Sequence, residues 1–336
     1  MKKYLNIKIL IPVIGIILFF LWNRSPSVEW EKEINWEILS EAKYVKQTDD
    51  GGYVILGTNY SQLTLVKVNS IGNTLWVKKI IEDKHNATAF QLSNDGGYMI
   101  AGYHYSPNAS NRKFWIAKLD TAANVIWSKE YDDGIYRQEI IAIEGTDNGD
   151  YIVAGVNYND SIHSTDYWVS KIDSEGELSW SKIFGGTNTD TPYIMRKTKN
   201  EKFVIEGNTD SKDGDVPEKY SGRLPNSIWS IEVNDNGQIV NSQRKEPGLF
   251  SKLTKTIFTH DGEYLLAGTK WVGDVYDGSV DLFVEKYNAN FNQTWSVIIT
   301  APGADRIIAI EQTNDGGCIV LAANEVFTKK LIKLSN

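Results

Sequence analysis

The residues best equipped for chemistry in this chain gather in segments of irregular sequence. Asp210-Ser211-Lys212-Asp213-Gly214-Asp215, with Glu218 beyond it, spaces carboxylates loosely like a calcium loop, and Ca²⁺ takes hard oxygen donors of this kind. The glycine and the last glutamate sit at other offsets than in an EF-hand loop, so a solvated acidic loop is the alternative. Tyr220 and Arg223 follow, and a second segment holds Trp271, Asp274, Tyr276 and Asp277. His104, Tyr105, Tyr158 and His163 come from two further segments. Aromatic rings beside carboxylates suit a glycan or a protein partner, since rings offer apolar faces and carboxylates fix hydroxyls or cations. For any one of them, the plain reading is a side chain on a solvated loop.

Several chemistries lack their signature. The four histidines, His85, His104, His163 and His260, show no HExxH or paired-ligand spacing along the chain, so a histidine-based zinc enzyme is not indicated. The single cysteine, Cys318, leaves no disulfide framework and no CxxC site. No G-x-S-x-G, P-loop or G-x-G-x-x-G is present. Two carboxylates would serve a glycosidase, but 43 acidic residues always supply such pairs and carry no signal. A net charge of −8 argues against a nucleic-acid surface. The expectation is no metal and no cofactor, with calcium as the one option.

The elements that must hold these segments are repeats. Thr48-Asp49-Asp50-Gly51-Gly52-Tyr53-Val54-Ile55-Leu56-Gly57 recurs from Ser93 to Gly102 and from Thr146 to Gly155. Weaker copies start at Thr198, Thr259 and Thr313. The glycines Gly52, Gly97, Gly149, Gly262 and Gly317 mark the turns, and Cys318 takes the last aromatic position as a core filler. A second unit, D/N-x-x-G-x-x-x-W, follows each first one and ends at Trp76, Trp127, Trp180 and Trp295; in the fourth copy Asn241 replaces the tryptophan, which should weaken that blade edge. DG and NG turns between β-rich runs indicate hairpins, and repeats of this length match propeller blades. The last copy stops without its tryptophan strand, while an orphan strand, Val28-Glu29-Trp30-Glu31-Lys32, opens the region. Placed in the last blade, that strand closes the ring and removes the open edges. The fold class is therefore all-β, a six-bladed propeller of four-stranded blades over residues 28–336.

On these motifs the chain resembles repeat propellers common in exported proteins of Bacteroidota, over residues 28 to 336. Ile183-Phe184-Gly185-Gly186 with Asp190, and Ser211-Lys212-Asp213-Gly214-Asp215-Val216, match that family's loops. Many relatives carry a C-terminal type IX secretion sorting domain, whereas this sequence finishes on a predicted strand. More distantly, the D-x-x-G-x-x-x-W unit is similar to the tryptophan-docking repeat of quinoprotein propellers and of the outer-membrane assembly lipoprotein. It also approximates the Asp-box of six-bladed sialidases with one residue more. A sialidase needs an arginine triad, and Arg137, Arg196 and Arg306 lie near the starts of first strands, without an assignable Tyr/Glu pair. The resemblance implies fold and compartment more than activity.

Residues 1–27 read as an export segment. Lys2 and Lys3 precede an apolar run from Ile9 to Trp22, which extends back to Leu5 if Asn6 and Lys8 are tolerated. The shorter count fits a cleaved signal peptide and the longer one a signal-anchor helix spanning 5–22. Either sends the propeller out of the cytoplasm, to the periplasm or cell surface on a single-pass anchor, or free if cleaved. The connections between second and third strands, 58–63, 103–113, 156–166, 208–226, 269–280 and 323–328, are long and all different, and variable loops on a rigid scaffold are where binding sites usually lie. The functional expectation is a non-enzymatic binding or scaffolding module acting through that face. A carbohydrate-active hydrolase or lyase, or a quinoprotein-like oxidoreductase, is the alternative on the same fold.

Overall fold

The Thr-Asp-Asp-Gly-Gly turn shows why the repeat takes its form. Thr48 N–H donates to the Gly52 carbonyl (3.0 Å) and Gly51 N–H to the Thr48 carbonyl (2.9 Å), while Gly52 N–H and Thr48 Oγ1 both donate to Asp50 Oδ1. Gly51 has φ +76°, which L-residues avoid. Gly52 serves a different need: a Cβ there would sit 2.4 Å from the Val68 carbonyl oxygen. The marker glycines of the sequence thus divide into two kinds, with Gly149 and Gly262 of the first kind and Gly52, Gly97 and Gly317 of the second.

The computed structural model describes residues 26–35, 37–60, 62–81, 85–104, 113–131, 137–159, 163–217, 227–245, 255–271, 280–300, 306–324 and 329–336. Residues 1–27, read from sequence as an export segment, lie outside this set except for Pro26 and Ser27. A first strand, β1 (Val28–Ile34), precedes the blades. Blade 1 is β2 (Glu41–Gln47), β3 (Tyr53–Asn59), β4 (Gln62–Val68) and β5 (Thr74–Ile81). Blade 2 is β6 (His85–Leu92), β7 (Tyr98–His104), β8 (Lys113–Leu119) and β9 (Val125–Tyr131). Blade 3 is β10 (Arg137–Gly145), β11 (Tyr151–Asn159), β12 (Ser164–Ile172) and β13 (Leu178–Phe184). Blade 4 is β14 (Asp190–Lys197), β15 (Phe203–Thr209), β16 (Ser227–Val233) and β17 (Ile239–Lys245). Blade 5 is β18 (Lys255–Phe258), β19 (Tyr264–Trp271), β20 (Val280–Tyr287) and β21 (Gln293–Ile299). Blade 6 is β22 (Arg306–Gln312), β23 (Cys318–Ala323) and β24 (Lys329–Leu334), completed by β1 in the order β1-β24-β23-β22. The chain is a six-bladed propeller closed by the Trp30 strand.

Side-chain burial follows position in the blade. The two middle strands are buried on both faces, as in β3 and β23, because a neighbouring blade covers each side. The outer strands alternate between exposed and half-buried, and the half-buried positions include the tryptophans. Cys318 is buried, and burial pushes its thiol up to about 12, as befits a core residue.

Trp30, Trp127 and Trp180 pack on the D-x-x-G turn of the next blade. A Cβ on Gly72 would strike Trp30, one on Gly176 would strike Trp127, and one on Gly237 would strike Trp180. Trp127 and Trp180 also donate their indole N–H to the carbonyls of Ser174 and Asp235 (2.9 and 3.1 Å). At the seam the turn is rebuilt from two chain ends. Ser335 N–H donates to the Ser27 carbonyl (2.9 Å) and Ser27 N–H to Ser335 Oγ (3.0 Å), just as Asn69 N–H reaches the Asn73 carbonyl and Asn73 N–H reaches Asn69 Oδ1 within blade 1.

A further pair recurs inside the blades. Lys67, Lys118, Lys171, Lys286 and Lys333 on the third strands each reach an acidic residue of the Asp-Gly turn, at 2.7 to 3.3 Å. Hydrogen bonds from Lys67 and Thr48 hold the Asp50 carboxyl down at about 2. Asp95 is also held at about 2, although burial pulls the other way, because Lys118 and Ser93 donate to it.

Candidate functional site

Blade 4 breaks these rules at four positions, and three of the substituted residues face blade 5. Asn241 stands where the other outer strands carry tryptophan. Glu206 stands where Leu56, Ala101, Ala154, Ala267 and Leu321 fill the second strands, and it is 2% exposed. Glu232 replaces the third-strand lysine, with Lys202 on the turn side at 3.7 Å, so the sign of that pair is inverted. Glu201 takes the turn position usually held by glycine, with φ +53°. On the facing turn of blade 5, Phe291 (φ +60°) takes the place of Gly72, Gly176 and Gly237. A ring missing from one blade is supplied by its neighbour. Phe291 stacks on Tyr264 with centroids 4.8 Å apart.

The exchange does not refill the interface. A cavity of about 240 Å³ remains, lined among others by Arg196, Glu206, Glu232, Asn241, Lys245 and Tyr264. At about 30 Å³ per water, that is room for roughly eight waters. Thr198, Gly262 and Ala289 also line it and belong to the short turns, so the cleft lies towards the short-turn end of the propeller. Lys245 Nζ donates to Glu206 Oε1 (2.7 Å) and Tyr264 Oη to Glu206 Oε2 (2.9 Å). Burial and the adjacent Glu206 charge raise the Tyr264 phenol well above its ordinary value, so it remains a donor. Arg196 lies over the Phe258 ring at 4.8 Å, and its buried Nε has no hydrogen-bond partner among the described residues. The cleft therefore combines a neutralised buried carboxylate, a phenol and a guanidinium with unused donor capacity, and an unpaired buried donor is costly unless something meets it.

The candidates read from sequence lie at the opposite, loop-rich end. Asp210, Asp213 and Asp215 join an interlock of the two family-like loops. Asp210 N–H donates to the Thr189 carbonyl (2.9 Å), Asp213 Oδ1 accepts from Thr187 N–H (2.8 Å), and Asp215 Oδ2 accepts from Gly185 N–H (3.2 Å). At its centre Asp190, fully buried, accepts from Gly186 N–H (2.8 Å), Ser211 Oγ (2.8 Å) and Thr209 Oγ1. Burial raises the Asp190 carboxyl although these donors oppose it. Asp166 beside it is pushed up to about 6 by burial and by the charges of Asp190 and Asp215. Tyr158 Oη donates to Glu139 Oε2 (3.3 Å), and His163 is exposed on a turn with φ +51°. His104 lies against His85 and Glu130. Tyr105, Tyr220, Arg223, Asp274, Tyr276 and Asp277 lie outside the described residues, and Trp271 is described only as the last backbone position of β19.

Sequence reading missed Glu206, Arg196 and Lys245 as one site. Superposing the six second strands would have singled out Glu206, because the same position is apolar in every other copy. It also missed a second tryptophan series: Trp115, Trp168 and Trp229 are buried on third strands and donate to Ser128, Ser181 and Ser242 at 2.7 to 3.0 Å.

No family model matches this chain, and no curated protein does. Solved structures share the fold at low identity. A protein of unknown function from Dyadobacter fermentans aligns with TM-score 0.62 at 11% identity, over 93% of this chain and 99% of that one. An alpha-L-arabinanase of Penicillium chrysogenum, complexed with arabinobiose, aligns with TM-score 0.56 at 12% identity, over 93% and 99% of the two chains. An alpha-L-arabinofuranosidase variant of Fusarium graminearum, with an iminosugar inhibitor, gives TM-score 0.58 at 11% identity, over 91% and 97%. At this identity the likeness concerns the fold alone.

Proposed function

We propose that this protein is a non-catalytic binding module, held outside the cytoplasm by its N-terminal segment, and that the cleft between blades 4 and 5 is its ligand site. The observation that carries this reading is the buried Glu206–Lys245–Tyr264 group, which appears only where the repeat's tryptophan is missing. Departures from an otherwise consistent pattern tend to fall at functional positions. The ligand that suits the cleft is a small hydroxylated anion. Its anionic group would face the Arg196 guanidinium, and its hydroxyls Glu206, Tyr264 and the polar rim, all of which line the cleft. The rigid ring keeps these groups in place, so little ordering entropy is lost on binding. Lys2 and Lys3 before the apolar run support export under the positive-inside rule.

A carbohydrate-active enzyme is the second reading, and Asp166 favours it. A carboxyl raised to about 6 beside two further aspartates suits a general acid. The structural neighbours that act on arabinose-containing sugars have the same fold. The binding reading is tested by calorimetric titration of the full chain with gluconate, glucuronate and arabinose. One of the two anions should bind with a stoichiometry of one, and Arg196→Gln and Glu206→Ala should each weaken it at least about tenfold, the equivalent of about 1.4 kcal/mol. Silence with all three compounds, or binding indifferent to both substitutions, refutes the cleft as the site. Turnover of an arabinoside that is lost in Asp166→Asn would instead favour the enzyme.

A further inference from the structure

The loop-rich end of blade 2 holds a group of donor atoms that neither reading above uses. His85 opens β6 and His104 closes β7, and the antiparallel register makes them partners on one rung. Their imidazoles stack with centroids 4.5 Å apart and planes 15° from parallel. Buried Trp115 packs against His85 at 4.7 Å and backs it from the core side. Glu130, on the outer strand β9, reaches across so that its Oε1 lies 2.8 Å from His104 Nδ1. That distance suits an ion pair, while the buried Nδ1 has no hydrogen-bond partner among the described residues. One ligand atom from each of the three side chains lies within 4.8 Å of the others.

The equivalent rung of blade 4 pairs Asp190 with Thr209, and there the two side chains bond each other as part of the interlock. Blade 2 instead brings together two imidazoles and a carboxylate, each able to offer a ligand atom to one ion. We infer that His85, His104 and Glu130 form a binding site for a zinc-class divalent transition-metal ion, with a coordination position left open. Zinc binds imidazole nitrogen at about 2.0–2.1 Å and carboxylate oxygen at about 2.0–2.2 Å, and three protein ligands plus one open position is the arrangement that holds water or a donor atom of a ligand. Calcium and magnesium are excluded by donor type, because they take oxygen ligands rather than imidazole. The ion would give the loop-rich end one fixed Lewis-acidic point among connections of variable sequence. Because the imidazoles must be neutral to ligate, metal binding competes with their protonation.

The test uses the untagged full chain, stripped with chelator and titrated with Co²⁺ and then Zn²⁺. The expected result is one equivalent of Co²⁺ with visible d–d absorption, displaced by Zn²⁺. His104→Ala and Glu130→Gln should each weaken the site at least about tenfold, while His163→Ala, on an exposed turn, should leave it intact. The Glu130 side chain is 39% exposed, so Glu130→Gln keeps the test decisive if His104→Ala does not fold. No stoichiometric binding, or affinity unchanged in Glu130→Gln, overturns the proposal. Titration of the same variants with gluconate separates this site from the cleft, since neither substitution touches the interface of blades 4 and 5.

Discussion

Two interfaces of the ring depart from the repeat, and they do so in opposite ways. At the seam, Ser335 and Ser27 rebuild from chain ends the turn that a single segment makes elsewhere, and Trp30 still packs on Gly72. The atoms have changed and the packing rule has not. Between blades 4 and 5 the aromatic ring comes from the other partner, as Phe291, and a charged group is buried in the space that remains. The first departure preserves architecture at an unavoidable break in the chain. The second gives up packing at a place where nothing in the chain's connectivity requires it.

The largest effect is expected at the seam. Deleting residues 28–34 removes one strand of blade 6 together with Trp30, and should abolish cooperative urea unfolding of the ring; an unchanged transition slope would refute the closure. Next comes the exchanged ring. Trp180→Ala should cost about 3 kcal/mol, at the lower end for burying and then removing an indole. Asn241→Trp should itself cost about 1–3 kcal/mol through overpacking against Phe291, and most of that cost should vanish when Phe291→Gly is added. Additive effects in that double-mutant cycle would show that the two rings do not share a space. The smallest effect is on pH dependence. Asp50 and Asp95 are held at about 2 against about 3.9 for a free aspartate, so their contribution is complete above pH 4 and is lost as pH falls through 2. Asp50→Asn should flatten this acid limb in thermal melts between pH 4 and 2, while Glu232→Gln, whose lysine is 3.7 Å away, should change it less.

The ring was legible because its signals are local and repeated. Asp50-Gly51 and its copies force turns, Trp76 and its copies mark outer strands, and the unmatched Trp30 strand could go only to the unfinished blade. Asn241 was also legible as a departure from the repeat, since that depends only on its position in the copy. The cleft was less so, because Glu206 becomes anomalous only beside its five apolar counterparts, and Phe291 replaces a glycine on a different blade from the tryptophan it compensates. His85 and His104 escaped any linear motif. Their rung exists only once a connection of irregular length has fixed the register of β6 and β7. The acidic segment holds a structural role that its sequence did not show: Asp213 and Asp215 both accept backbone N–H groups that tie two loops together.

The hydrogen-bonded meeting of Ser27 and Ser335 has a topological consequence. Because the two ends of the propeller already touch, residues 27–336, freed of the N-terminal segment, could be spliced across that contact and opened at another outer turn, such as Asn288–Asn292, without moving a strand. The order in which the blades are synthesised is then separable from the order in which they pack. Circular permutants would let the slow step of closure be assigned to a chosen interface, including the cleft itself.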